Sequence, residues 1–498
     1  MVRIGFSKYI LVLLLFNFIL DFEAVAATIN ARSCSQLDVQ SAVNKARDGD
    51  TINIPSGNCS WRSGVFVPDT KGLRLIGAGI GQTVIGGSVS TKITINIAAS
   101  SSTFTRISGI EFRESGTQIQ VYQSTRGGSR SSGRYRIDNC KFTLIRRPAD
   151  KFSGITAGII LYGNAYGVVD NCTFQASDAF NGVFVFGDTG SRGSVDGGYK
   201  DWQEDLALGT AYMHYIEDCI FSFDNYAPGV DIIDGRDGGR VVLRYCTIQN
   251  GNWGMHDACV YGKRGNHSWE IYHNTFTTTP SSYWTLTYHR GGTGVIFNNN
   301  FRGNNCNARS PLYFNNPLYR SDGPCNCGPW PRCAWAAPCD GTPEKMCERS
   351  LMGCRDDGDC GANGPCVQID GQEDGYGYPC RDQFGTTSPG LTKHPVVAWN
   401  NKWCNTGPTC SPTTDAPILI PLHDHNWIKP ERDYIDYNTC SDGIDNDGDG
   451  QTDMNDTICL TYWDDVKKQK KEYTPCTYPH SLRTAELLPL GPEKLEPK

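Results

Sequence analysis

The chain has 498 residues, a formal net charge of −7, 55 glycines and 22 cysteines. So modest an acidic charge excludes a nucleic-acid binder built on a basic surface, and an even, high cysteine count argues against a reducing compartment. The length supplies a large core, as one long unit with insertions or one unit with added modules.

Residues 1–26 read as a secretory signal. Arg3 and Lys8 form a positive start, Ile10 to Leu20 an apolar run, and Ala24-Val25-Ala26 an A-x-A cleavage site before Ala27. The run is too short for a comfortable membrane span, and no later stretch is apolar enough for one. The expectation is an exported, soluble protein with no membrane span.

Cys34 to Arg47 is the one good amphipathic helix near the start, with Leu37, Val39, Ala42, Val43 and Ala46 roughly on one face. Asp48-Gly49-Asp50 follows as a turn, and Thr51-Ile52-Asn53-Ile54-Pro55 as a strand. Leu73 to Ile85 (LRLIGAGIGQTVI) reads as a further coil. The DGDTINIPSG turn (Asp48 to Gly57), the GAG-x-GQTVI turn and the preceding helix resemble secreted right-handed β-helix proteins of the pectate-lyase-like superfamily. The resemblance implies a solenoid whose exposed end is capped by the helix. It implies little about substrate, because one such fold carries many activities.

A repeated pattern then governs the chain: an apolar run, a turn pair rich in Asn, Asp or Cys, a spacer, then Phe or Ile. The copies end at Phe112, Phe142, Phe174, Phe221, Ile248, Phe276 and Phe301, at intervals of 30, 32, 47, 27, 28 and 25 residues. Such a period, with short strands and no helical pattern, predicts a single right-handed parallel β-helix. Equivalent positions then stack about 4.8 Å apart. Cys140, Cys172, Cys219 and Cys246 share one repeat position, which Asn274 and Asn299 take over. These cysteines are expected as small buried residues at a turn, with disulfides between adjacent coils as the alternative.

Ten cysteines lie between Cys306 and Cys380 among Gly, Pro and Asp. This segment cannot build an apolar core and is expected to be stapled by disulfides; zinc is the rival reading, carried by Cys325 and Cys327. GYPCRDQFG (Gly377 to Gly385), PVVAWNNKW (Pro395 to Trp403) and YTPCTYPHSL (Tyr473 to Leu482) resemble elements of bacterial secreted β-helix proteins. The expected organisation is a signal over 1–26, capped β-helix over 27–305, disulfide-rich insertion over 306–380, further coils over 381–438, a calcium loop over 439–459 and a tail over 460–498.

Within Thr439 to Cys459, Asp445, Asp447 and Asp449 occupy alternate positions of a D-x-D-x-D-G loop, and Gly450 permits the sharp turn. Gln451 offers a backbone carbonyl, and Asp453 and Asp456 fall at later ligand positions. So many carboxylates in one loop repel unless a cation collects them, and Ca2+ takes six to eight such oxygens. The segment resembles the DGxDNDGDGxxD loops of bacterial surface proteins and thrombospondin-like repeats. Cys440 and Cys459 bracket it and are expected to bridge.

Superimposing coils on the repeat aromatic places Asp234, Tyr261 and His289 thirteen residues after Phe221, Ile248 and Phe276. The reading has Phe184, Phe186, Ile233, Ala258, Val260 and Leu286 inward and the column of three outward. Arg264, Arg290, Asp237, Lys263, His256 and Asp257 fall close by. A uronate lyase needs a cation for the carboxylate, which Arg290, Arg264 or Lys263 could supply. It also needs a base and an acid, which His289 and Tyr261 could supply. A glycoside hydrolase needs two carboxylates, for which Asp234 with Asp237 or Asp257 are available. A non-catalytic glycan-binding or adhesion surface is the third reading. In each case the partner is an extracellular polysaccharide and the protein is expected to act as a monomer.

Overall fold

The computed structural model describes residues 26–97, 104–114, 116–123, 133–144, 157–163, 165–176, 181–187, 206–223, 231–236, 238–255, 266–278, 287–303 and 311–315. It then describes 345–347, 353–354, 358, 365–368, 384–387, 392–404, 406–416, 418–420, 428, 433–436 and 475–483. The signal region before residue 26, the calcium loop and most of the cysteine-rich insertion lie outside them.

The described chain is a parallel β-helix. Successive coils contribute one strand to each of three long sheets, with twelve, eleven and ten strands, and neighbouring coils pair in parallel register. The first coil begins earlier than the sequence suggests, because Thr28–Asn30 pairs with Thr51–Asn53. After the coil ending in Leu312–Asn315, the stack resumes at Val396–Trp399, Lys402–Cys404 and Ile418–Leu419, each in register with the coil before it. A short antiparallel sheet, Lys345–Cys347 with Gly353–Cys354 and Cys366–Gln368, belongs to the interrupting segment.

The helix Gln36–Lys45 covers the end, with the Ser35 side chain accepting from the Asp38 amide as its N-cap. Val39, Ala42 and Val43 pack inward, whereas Leu37, expected on that face, is 78% exposed. A disulfide between Cys34 and Cys59 ties the helix entry to the first coil. A second disulfide joins Cys404 and Cys410.

The repeat aromatics stack in the core as expected. Phe112, Phe142, Phe174 and Phe221 are spaced 5.4, 4.7 and 4.7 Å between ring centroids, and Phe276 and Phe301 are 5.1 Å apart. What keeps them in register is the turn before each one. Two residues join the first sheet to the second, and the first of the two is left-handed: Asn139, Asn171, Asp218, Tyr245, His273, Asn298 and Asn400 have φ between 49° and 57°. Asn and Asp tolerate that conformation best.

The second turn residue points inward and donates to a carbonyl of the preceding coil. Cys172, Cys219 and Cys246 reach Ile137, Val169 and Ile216 at 3.6 Å. Asn274, Asn299 and Asn401 reach Leu243, Ile271 and Ile296 at 2.8–2.9 Å. Thiol and amide interchange because both are small donors. Cys140, Cys172, Cys219 and Cys246 are buried free thiols, which decides between the two expectations for that column.

Candidate functional site

The third sheet presents the face on which the chemistry was expected, but its register differs from the one inferred. The connection from the second sheet to the third varies in length. Phe221 leads to Ile233 in the third sheet and Phe276 to Thr287, whereas Ile248 leads after only five residues to Trp253, and these three partners pair with one another. The coil of Ile248 therefore uses Asn252–Met255 as its third-sheet strand, not the Asp257 segment.

Asp234 consequently pairs with Phe184 on one side and Gly254 on the other, and Gly254 pairs with Tyr288. Asp234 and His289 therefore do not share a column. His289 falls one residue beyond Tyr288 and has the inward parity. It is 0% exposed, with its ring 4.4 Å from Trp269, 5.6 Å from Phe314 and 6.4 Å from Trp253. Burial drives its pKa down to about 3, so the ring is a neutral core group that reaches no outward ligand. Phe184 is corrected in the opposite sense: Val183 and Val185 enter the main core, while Phe184, on the outward parity, is buried in a separate cluster with Ala157 and Ile160. Ile233 is inward as expected, and a register shift between Asp231 and Ile233 brings Ile232 into the same core. Tyr261, Arg264, His256, Lys263, Asp237 and Asp257 lie outside the described residues, as do Phe186's side chain, Ala258, Val260 and Leu286. So do Asp445, Asp447, Asp449, Gln451, Asp453 and Asp456.

Two outward columns run along the third sheet. One is Gln120, Ile160, Phe184, Asp234, Gly254, Tyr288 and Tyr313. The other begins Tyr122, Tyr162 and resumes with Arg290 beside Tyr288. Coil spacing gives this face a length of about 29 Å. Tyr122, Tyr162 and Tyr288 are half-buried. Tyr122 and Tyr162 pack edge-to-face at 5.6 Å, and Tyr288 and Tyr313 lie 5.1 Å apart. The Arg290 guanidinium rests 4.2 Å over the Tyr288 ring. Between Asp234 and Tyr288, two coils apart and so about 9.6 Å between backbones, Gly254 contributes no side chain. The face thus carries half-open tyrosines towards both ends, while Ile160, Phe184 and Asp234 between them, and Arg290 beside Tyr288, are outward by parity yet buried.

The sequence reading found Asp234 and Arg290 and missed the tyrosines. Tyr288 and Tyr313 each lie twelve residues past a repeat Phe, and the sheet pairs them. That shared offset was the available signal.

The first sheet's outer face is built differently. Arg106 pairs with Asp138 at 2.6 Å, Arg136 with Asp170 at 2.9 Å, and Arg244 with Glu217 at 2.6 Å, the last pair having no exposed side-chain surface. The segment around residues 475–483 lies across this ladder. Arg244 donates to the carbonyls of Cys476 and Thr477, Glu217 accepts from the His480 amide, and Arg483 pairs with Asp170, Glu217 and Asp218. Burial raises the Asp170 carboxyl to about 6 against the pull of Arg136. These charges satisfy one another and serve the fold.

Among the described residues no group of three or more His, Cys, Asp or Glu is placed to hold a metal, and no helix is long and apolar enough to cross a membrane. No family model and no curated protein matches the chain. Among solved structures, one similar chain is Geobacillus virus E2 ORF18, at 12% identity and a TM-score of 0.29, covering 55% of this chain and 56% of that one. The match thus spans little more than half of either chain, and a likeness this weak carries no argument about function.

Proposed function

We propose that the protein binds an extended, uronate-containing extracellular polysaccharide along the outward face of the third sheet. The carrying observation is the placement of the half-open Tyr122, Tyr162 and Tyr288 on one face about 29 Å long. Half-buried rings offer flat apolar surface to the C–H faces of sugars at little entropic cost, while a few polar groups set orientation. The positive charge of Arg290, buried against the Tyr288 ring, favours a carboxylate-bearing sugar over a neutral one through its field rather than by contact.

β-Elimination on the same face is the second reading, favoured by one contact: Arg290, buried over the Tyr288 ring, sets a positive charge beside a half-open phenol able to move a proton. His289 has no part in it. Export and membership of the pectate-lyase-like superfamily are part of the same proposal, supported by the two disulfides and the capped first coils. Calcium binding by Asp445, Asp447, Asp449, Asp453, Asp456 and the Gln451 carbonyl is proposed from their donor chemistry and spacing alone.

The test is a panel of uronate polymers assayed for retention and for ultraviolet absorbance. Retention without an absorbing product is the expected result. An absorbing product that disappears in Tyr288→Phe establishes the elimination reading instead. Neither retention nor product on any uronate polymer overturns both.

A further inference from the structure

The outward face of the second sheet is unlike the other two. Its paired columns run Thr173, Ile220, Thr247, Thr275 and Gln175, Ser222, Gln249, Thr277 over four successive coils. Each of these side chains is intermediate or exposed, and every residue between the columns (Phe174, Phe221, Ile248, Phe276) is buried, so the face alternates without a break. None of the eight is charged. Charge returns only at the two ends: Lys141 and the Arg113–Glu111 pair before Thr173, then Arg302 and the Lys402–Asp415 pair after Thr277. Ile220, at 49% exposure, is among the few large apolar side chains left in solvent among the described residues.

A flat face of hydroxyls and amides, with one apolar residue and no charge over four coils, departs from the mixed-charge surface that keeps a soluble protein apart from its neighbours. We propose that this face binds a neutral, hydroxyl-rich polysaccharide, at a site distinct from the third-sheet face. Three observations select that occupant. The absence of charge gives an anionic polymer nothing to pair with. The hydroxyl and amide side chains repeat about every 4.8 Å along the axis, which offers a regular ladder of donors and acceptors to a polymer that is itself regular. A second copy is disfavoured by area, because four coils by two columns cover on the order of 300 Å² per partner, well under the roughly 800 Å² of a stable interface.

The experiment measures retention of the full chain on amorphous cellulose and, in solution, on a neutral glucan and a galactomannan, with polygalacturonate run in parallel. The variant Ile220→Glu/Gln249→Glu places two charges on exposed positions. Thr247→Ala/Gln249→Ala removes donors without adding charge and serves if the first variant fails to fold. Retention of the wild type on at least one neutral polymer is expected, with a loss of tenfold or more in either variant at unchanged melting temperature. Retention on polygalacturonate should not change, so failure on the third-sheet face is read separately from failure here. No neutral polymer retained, or full retention in both variants, overturns the proposal. So does a concentration-dependent dimer in sedimentation that either variant abolishes.

Discussion

The first and third sheets of this β-helix carry similar residue types on their outer faces and use them in opposite ways. On the first sheet, Arg136, Asp170, Glu217 and Arg244 are spent on one another and on the segment around His480 and Arg483. Tyr215 and Tyr272 flank Arg244 there and are themselves buried. On the third sheet, Tyr122, Tyr162 and Tyr288 remain half-open, although Asp234, Arg290 and Tyr313 beside them are buried. A charged, aromatic face on a solenoid is therefore not in itself a binding site. What separates the two is that Tyr122, Tyr162 and Tyr288 stay half-open on the third sheet, whereas the segment around His480 and Arg483 seals the pairs of the first.

The largest effect should come from breaking the covered face. Arg244 and Glu217 have no exposed side-chain surface, so removing one leaves the other buried and uncompensated. Arg244→Met is expected to cost about 3–5 kcal/mol in denaturant unfolding. A loss below about 1 kcal/mol would mean the pair is far better solvated than its burial indicates.

Acid should act next, and on the covered face and core more than on the open face. Burial lowers the pKa of His214 to about 4 and of His289 and His480 to about 3. A histidine held neutral below its ordinary value of about 6.5 contributes stability that is complete above that pH and is lost as pH falls towards about 3. Asp170, raised to about 6, has the opposite sign: its contribution is full below the ordinary carboxylate range and is lost as pH rises through about 6. With His394, whose pKa burial also lowers to about 3, four histidines against one carboxyl predict a melting temperature that falls between pH 6.5 and 4. A flat or rising profile over that window would contradict the neutral, buried imidazoles.

The smallest effect should be at His289 itself. Neither of its ring nitrogens has a hydrogen-bond partner among the described residues, and aromatic rings surround it. Replacing an unsatisfied buried polar ring by an apolar residue is near neutral or stabilising. His289→Leu should change unfolding by less than about 1 kcal/mol at pH 7.5 and should flatten part of the acid profile. A large loss would show that the imidazole holds the coil together.

The two kinds of turn also explain what could be read from the sequence. The connection from first to second sheet keeps two residues in every coil from Asn139 to Asn401, because one left-handed residue and one inward donor complete it. Phe142, Phe174, Phe221 and Phe276 could therefore be assigned to one core column from spacing alone. The connection from second to third sheet has no such constraint: the offset ranges from five, Ile248 to Trp253, to seventeen, Phe142 to Ile159. An offset of thirteen therefore put Asp234 on the correct face and placed His289 on the wrong side of the strand. Because side chains alternate, a one-residue error in such a connection exchanges core for surface.

The comparison of faces is tested most directly by titrating polygalacturonate into the wild type and into Tyr288→Ala by calorimetry, with the melting temperature of each recorded. The account predicts that affinity falls about tenfold or more, roughly 1.4 kcal/mol, while the melting temperature shifts little, since Tyr288 lies on the half-open outer face. Unchanged affinity in Tyr288→Ala would contradict the assignment of the third-sheet face as the binding surface.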